Sequence, residues 1–239
     1  MILKNNALPG WIKRQASLGP NVEVDGIQNE QNAYWYLLTV CCPLIFESYA
    51  LILHPFWADL ELRENKLTNS TKSQTFEKNL KPISWTKSFG IFNKDFDLKT
   101  SNEIQEKIRL EIVNDWPSYI NFPEEGDCSD EQLGFVRNRL IESYGDVVAN
   151  YYYCILKTGK WEEDKIYSGK LSELEQLKDN DGVRDNPTAI FPDDKSWCLV
   201  TDYDLPFTYI GGSEKFITSI TDNEYLDIYR IFPAFIEKV

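Results

Sequence analysis

Short apolar runs stand towards both ends of this sequence, and helix-start signals lie between them. Residues 34–40, 49–53 and 197–203 are rich in aromatic and β-branched residues and are short enough for buried strands. Strands at both ends of a chain with helices between them are typical of α+β proteins rather than of a regular βαβ series. The sequence therefore predicts an α+β fold, with a mixed or antiparallel sheet and several helices packed on it.

Capping signals place the helices of the middle region. Ser129 begins a capping box, apolar residues then recur at helical spacing as far as Tyr144, and Gly145 supplies a stop. A second capping box begins at Thr100, and Pro117 ends the pattern that follows it. These signals predict helices that start near residues 100 and 129.

The C-terminal part predicts a hairpin followed by a helix. Residues 197–203 and 207–210 are strand-like and are separated by a short turn, and Ser213 then stands where a helix N-cap is expected. The run at residues 147–156 is almost continuously apolar, so periodicity leaves both a buried strand and a helix open.

The length of 239 residues suits a single domain, which we predict for residues 1–239. The polar stretch at residues 61–81 is the best candidate for an exposed loop or excursion. No repeat and no linker-like segment divides the chain.

Targeting features predict a cytoplasmic protein without a membrane anchor. The first six residues lack the apolar core of a signal peptide, and the longest apolar runs are shorter than the roughly 20 residues that a membrane-spanning helix needs. The five cysteines are odd in number and include no Cys-x-x-Cys pair, as expected of reduced thiols in a reducing compartment.

The charge balance indicates the kind of partner. With 25 basic and 38 acidic residues the net charge is −13, which disfavours nucleic acid and anionic membranes because phosphate affinity comes largely from Lys and Arg. The same charge attracts cationic proteins over a screening length of about 8 to 10 Å. We expect a protein partner with a basic surface; the alternative is that the charge only maintains solubility.

Candidate catalytic residues are few. His54 is the only histidine, which excludes a histidine pair or a metal site built from several histidines. If the chain were an enzyme, His54 would act as general base, and Asp202 and Asp204 would share one strand face as the carboxylates of a carboxylate- or metal-dependent hydrolase. The alternatives are a structural histidine and an ordinary acidic turn.

Cofactor signatures are weak. Gly211 and Gly212 precede a helix start, but the segment has neither the lysine of a P-loop nor the third glycine of a dinucleotide fingerprint. We therefore expect no cofactor and no bound metal.

Aromatic residues next to acidic ones predict a partner-binding surface. The residues are Trp57, Trp161, Glu162, Glu163 and Asp164. Aromatic rings supply buried area at an interface and carboxylates steer a basic partner towards it. The alternative is that the aromatic residues belong to the core.

Residues 197–214, with their strand, turn, strand, Gly-Gly and capped helix, resemble the ends of uncharacterised bacterial proteins that include immunity proteins of toxin systems. The resemblance implies a toxin-neutralising or other partner-binding role. We therefore predict a non-catalytic acidic protein-binding domain, such as an immunity protein for a cationic toxin. The alternatives are the hydrolase and a module of a larger assembly.

Overall fold

A computed structural model describes the residues 1–4, 8–12, 34, 37–38, 41–61, 79–111, 117, 119–154, 157–158, 164–178, 180 and 182–233. The strands with defined bounds are β1 (Ile2–Lys4), β2 (Ser48–Leu53), β3 (Phe56–Ala58), β4 (Lys81–Ile83), β5 (Ile120–Asn121), β6 (Val148–Tyr153), β7 (Lys165–Lys170), β8 (Ala189–Pro192), β9 (Cys198–Val200), β10 (Phe207–Gly212) and β11 (Ile228–Ile231). The helices with defined bounds are α1 (Trp85–Ile91), α2 (Ser101–Glu111), α3 (Asp130–Tyr144), α4 (Glu214–Thr221) and the 3-10 helix η1 (Leu171–Leu177).

The strands form two antiparallel sheets. The large sheet has eight strands in the order β1-β7-β6-β8-β9-β10-β2-β11, and the small sheet has three in the order β4-β3-β5. Every pair of neighbouring strands is antiparallel. The predicted α+β class with an antiparallel sheet is confirmed.

Strand β2 shows how the large sheet is buried on both faces. Ala50 and Ile52 point into one hydrophobic cluster, while Leu51 and Leu53 point into another. Helices α3, α4 and η1 cover the first face, which we call the helix-covered face, and α1 packs on the second. A strand buried on both faces is apolar throughout, which explains why residues 49–53 form a continuous run.

Several local predictions are confirmed. The run at residues 147–156 contains the buried strand β6, which settles the alternative between strand and helix. The side chain of Ser129 accepts the Gln132 amide in a complete capping box, and the side chain of Ser213 accepts the Phe216 amide at the start of α4.

The strand predicted for residues 34–40 is wrong where that stretch is described. Tyr34, Leu37 and Leu38 are helical, as is Cys41 just beyond the stretch. These residues recur at i, i+3, i+4 and i+7, which is the spacing of one helix face. The run therefore fits a helical period as well as the aromatic and β-branched composition of a strand. Of the predicted excursion at residues 61–81, positions 62–78 lie outside the described residues.

Candidate functional site

The loop between β5 and α3 forms the centre of an acidic surface. Eight carboxylates belong to this loop, to the start of α3 or to the turns beside them, and we call this set the acidic face. Its members are Glu124, Glu125, Asp127, Asp130, Glu131, Asp185, Asp202 and Asp204. The amide of Gly126 donates to the carbonyl of Leu205 (2.9 Å), which holds the loop against the turn that contains Asp202 and Asp204.

Three buried side chains hold the backbone of this loop from inside. Nδ1 of His54 contacts the carbonyl oxygen of Glu124 at 2.6 Å, and Nζ of Lys157 donates to that of Gly126 at 2.5 Å. Nδ2 of Asn186 donates to the carbonyl of Cys128 at 2.9 Å. We call His54, Lys157 and Asn186 the inner clamp. Because every second carbonyl from residue 124 to residue 128 is bound by a buried group, the loop has a fixed path.

Gly126 brings the loop close to the neighbouring turn. Its φ is +77°, a left-handed conformation that glycine adopts without strain. A Cβ atom at this position would lie 2.8 Å from the Cα atom of Tyr203, so no side chain fits. The close approach brings the loop at Gly126 against Tyr203, which lies between Asp202 and Asp204 in the chain.

Both ring nitrogens of His54 have hydrogen-bond partners inside the protein. The Glu124 carbonyl can only accept, so Nδ1 of His54 carries the proton and Nε2 accepts from the Thr208 hydroxyl at 2.9 Å. Burial lowers the pKa of His54 to about 4, and the charge of Lys157 acts in the same direction. The ring is fully buried and both nitrogens are occupied, so the geometry gives the general-base prediction no support.

Asp202 and Asp204 lie in a turn and not on a strand face, because β9 ends at Val200. Oδ1 of Asp202 accepts the amide of Asp204 at 2.9 Å, which is the hydrogen bond of an Asx turn. Burial raises the pKa of Asp202, and the charge of Asp204 adds to the increase. This arrangement matches the acidic-turn alternative; the hydrolase role stays a prediction.

Lys157 supplies the positive charge beneath the acidic face. The residue is 3 % exposed, and Nζ also donates to the carbonyl of Asn186 at 2.7 Å. Burial lowers the pKa of Lys157, while the charges of Asp127 and Asp185 raise it in part. Burial raises the pKa of Asp127, and Lys157 opposes that shift. The ammonium and the carboxylates therefore stabilise each other without forming an ion pair.

Most carboxylates of the acidic face have no cationic neighbour in the described part of the chain. Asp130 is paired with Lys178 at 2.6 Å. The other seven have no Lys or Arg nitrogen within 4.0 Å among the described residues. Of these, Glu124, Glu125, Glu131, Asp185 and Asp204 are exposed, so their charge faces the solvent.

The predicted partner-binding residues lie elsewhere. Trp57 is half-buried in β3 of the small sheet, opposite Pro82 and Asn121. Asp164 is exposed just before β7 of the large sheet and accepts the Tyr152 hydroxyl at 2.8 Å. Positions 161–163 (Trp161, Glu162 and Glu163) lie outside the described residues. Their role as a partner surface stays a prediction.

Sequence reasoning missed the inner clamp apart from His54. A lone lysine after an apolar run and a lone asparagine in a loop give no local sign that they meet below one loop. The acidic face itself had a readable signal, since residues 124–131 contain five carboxylates.

Comparisons with protein-family models, with curated proteins and with solved structures found no match to this chain. In the described part of the chain no group of three or more His, Cys, Asp or Glu residues could hold a metal ion. No described helix combines the length and the apolar composition needed to cross a membrane.

Proposed function

We propose that this chain is a protein-binding domain and that its acidic face binds a partner protein with a basic surface. One observation carries the proposal: the inner clamp fixes a loop whose exposed carboxylates, Glu124 and Glu125, have no cationic neighbour among the described residues. A surface that is ordered before binding loses little conformational entropy when a partner arrives, so more of the interaction energy becomes affinity.

The energetics of Lys157 support this interpretation. Burying an ammonium group costs several kcal/mol unless hydrogen bonds and nearby charges compensate it. Here the compensation comes from the carbonyls of Gly126 and Asn186 and from the charge of Asp127. An apolar residue would avoid this cost but would leave both carbonyls without a donor. Lys157 therefore fixes the path of the loop, which an apolar residue at the same position would not do.

The resemblance of residues 197–214 implies a toxin-neutralising or other partner-binding role, and the net charge of −13 favours a cationic partner. On that basis we propose an immunity role against a cationic toxin domain. An acidic face suits this task because long-range attraction raises the association rate, which matters when a toxin must be captured quickly. The rate of association should therefore fall steeply as salt is added.

The experiment compares two triple variants of equal charge. Glu124→Gln, Glu125→Gln and Asp185→Asn neutralise three exposed residues of the acidic face, whereas Glu103→Gln, Glu106→Gln and Glu142→Gln neutralise three exposed residues on α2 and α3. Fluorescence anisotropy with a labelled deca-arginine peptide, at about 25 and 300 mM salt, measures the affinity. We expect at least a tenfold loss for the first variant at low salt and a smaller loss for the second. Equal losses would mean that only net charge matters and would refute the proposed face.

A further inference from the structure

A depression of about 230 Å³ adjoins the acidic face, between the starts of α1 and α3. Its apolar wall contains Pro55, Pro82 and Leu226, and its carboxylates are Glu131 and Asp227. Glu131 belongs to both the depression and the acidic face, so a partner on the acidic face can reach into this space. We call it the proline-lined pocket.

Tyr225 stands at the proline-lined pocket as an unusually exposed aromatic residue. The residue is 89 % exposed. The loop that carries it is ordered, because Oδ1 of Asn223 accepts the amides of Tyr225 at 3.1 Å and of Leu226 at 2.6 Å. Tyrosine is enriched among the residues that anchor protein–protein interfaces, and Tyr225 lines a depression that a partner side chain can enter.

The charge of the proline-lined pocket is negative. Oδ2 of Asp227 accepts the amide of Trp85 at 2.9 Å, so the positive start of α1 already has its anion. Burial raises the pKa of Asp227, but the hydrogen bonds from the Trp85 amide and the Tyr229 hydroxyl lower it and favour the charged carboxylate. No lysine or arginine is among the described residues that line the space. A second depression, of about 200 Å³ beside Asp127, contains Lys178 and Arg184 in its lining and therefore suits a cation less well.

We infer that the proline-lined pocket binds an arginine side chain of the partner. This inference rests on the proposed function and specifies the side chain that anchors the partner beside the acidic face. The guanidinium plane can stack on the Tyr225 ring, and the aliphatic stem can pack on Pro55 and Leu226. Glu131 and Asp227 supply the opposing charge. Arginine fits better than lysine because its guanidinium is planar and weakly hydrated, whereas an ammonium is compact and strongly hydrated.

Two labelled peptides of equal length and charge, deca-arginine and deca-lysine, test the inference. The wild-type protein should bind deca-arginine more tightly, and Tyr225→Ala should weaken that binding by about fivefold and remove the preference. Phe232→Ala is the matched control, because Phe232 is 63 % exposed and does not line the pocket. Glu131→Gln should weaken deca-arginine binding more than Glu224→Gln, since Glu224 is exposed outside the pocket.

Two results would overturn the inference: equal wild-type affinity for the two peptides, or an unchanged deca-arginine affinity in Tyr225→Ala. Both leave the proposed function intact if the triple neutralisation of Glu124, Glu125 and Asp185 still weakens binding. Loss of folding does not confuse the test, because the Tyr225 side chain is almost fully exposed, and thermal unfolding checks this directly.

Discussion

The acidic face and the helix-covered face use the same residue types in different ways. On the outer surface of the helices that cover the latter face, Glu175 of η1 lies 2.8 Å from Arg137 of α3 and 3.2 Å from Lys178. On the acidic face the central cation, Lys157, is buried and donates to backbone carbonyls instead. A surface cation that pairs with a carboxylate cancels the charge of that carboxylate. A buried cation that donates to backbone carbonyls fixes the backbone, and the exposed carboxylates nearby keep their charge.

Replacing Lys157 with Met tests this difference most strongly. The substitution leaves the carbonyls of Gly126 and Asn186 without their donor and removes the cation beside Asp127, so we expect a loss of about 4 kcal/mol in the free energy of unfolding. Urea unfolding measures the loss. Hydrogen exchange of residues 124–131 should also become faster than in the rest of the protein.

Lys107→Met is the control for that experiment. Lys107 pairs with Glu103 on the exposed surface of α2, and such pairs contribute less than about 1 kcal/mol. If Lys157→Met were as stable as Lys107→Met, the buried cation would not hold the loop and the contrast between the two faces would disappear.

The pH dependence of stability tests the His54 end of the clamp. The pKa of His54 is about 4 in the folded protein and 6.5 in the unfolded chain, so the unfolded chain binds more protons between these values. Stability from this residue is therefore complete above pH 6.5 and falls as the pH is lowered towards 4, by about 3 kcal/mol.

His54→Gln is the comparison that isolates this effect, because glutamine does not titrate. Burial raises the pKa values of Asp127, Asp202 and Asp227, which gives a dependence of opposite sign, but these groups are common to both proteins. Urea unfolding at several pH values should show that the wild type loses its excess free energy of unfolding over His54→Gln as the pH falls from 6.5 to 4. A constant difference between the two proteins would show that His54 is not held neutral.

Gly126→Ala probes the close approach of the loop and the turn, with a smaller expected effect. A methyl group would meet the backbone of Tyr203 at a left-handed φ, so we expect a loss of about 2 kcal/mol. A Cβ atom added at Gly134 in α3 would have no neighbouring atom within 4 Å, so Gly134→Ala should stabilise the helix by about 0.5 to 1 kcal/mol. A lower melting temperature for Gly126→Ala together with a higher one for Gly134→Ala would confirm that the close approach of the loop requires glycine at position 126. It would also show that the loss of a glycine is not destabilising in itself.

The local sequence was sufficient for much of the fold. The capping box at Ser129 and the N-cap at Ser213 located α3 and α4, since each signal involves residues within one turn. The run at residues 49–53 located β2. The strand prediction for residues 34–40 was wrong at the described positions, Tyr34, Leu37 and Leu38, because a short apolar run of aromatic and β-branched residues satisfies strand and helix patterns at once, and packing decides between them.

By itself, the sequence determined the α+β class, the helix starts and the excess of negative charge, because these depend on neighbouring residues or on composition. Only the tertiary structure decided the hydrogen-bond partners of His54 and the existence of the inner clamp. Lys157, Asn186 and His54 are far apart in the chain and meet under one loop, where burial and backbone carbonyls decide which groups hold a proton. Burial is a property of the folded chain, so no local pattern of residues contains it.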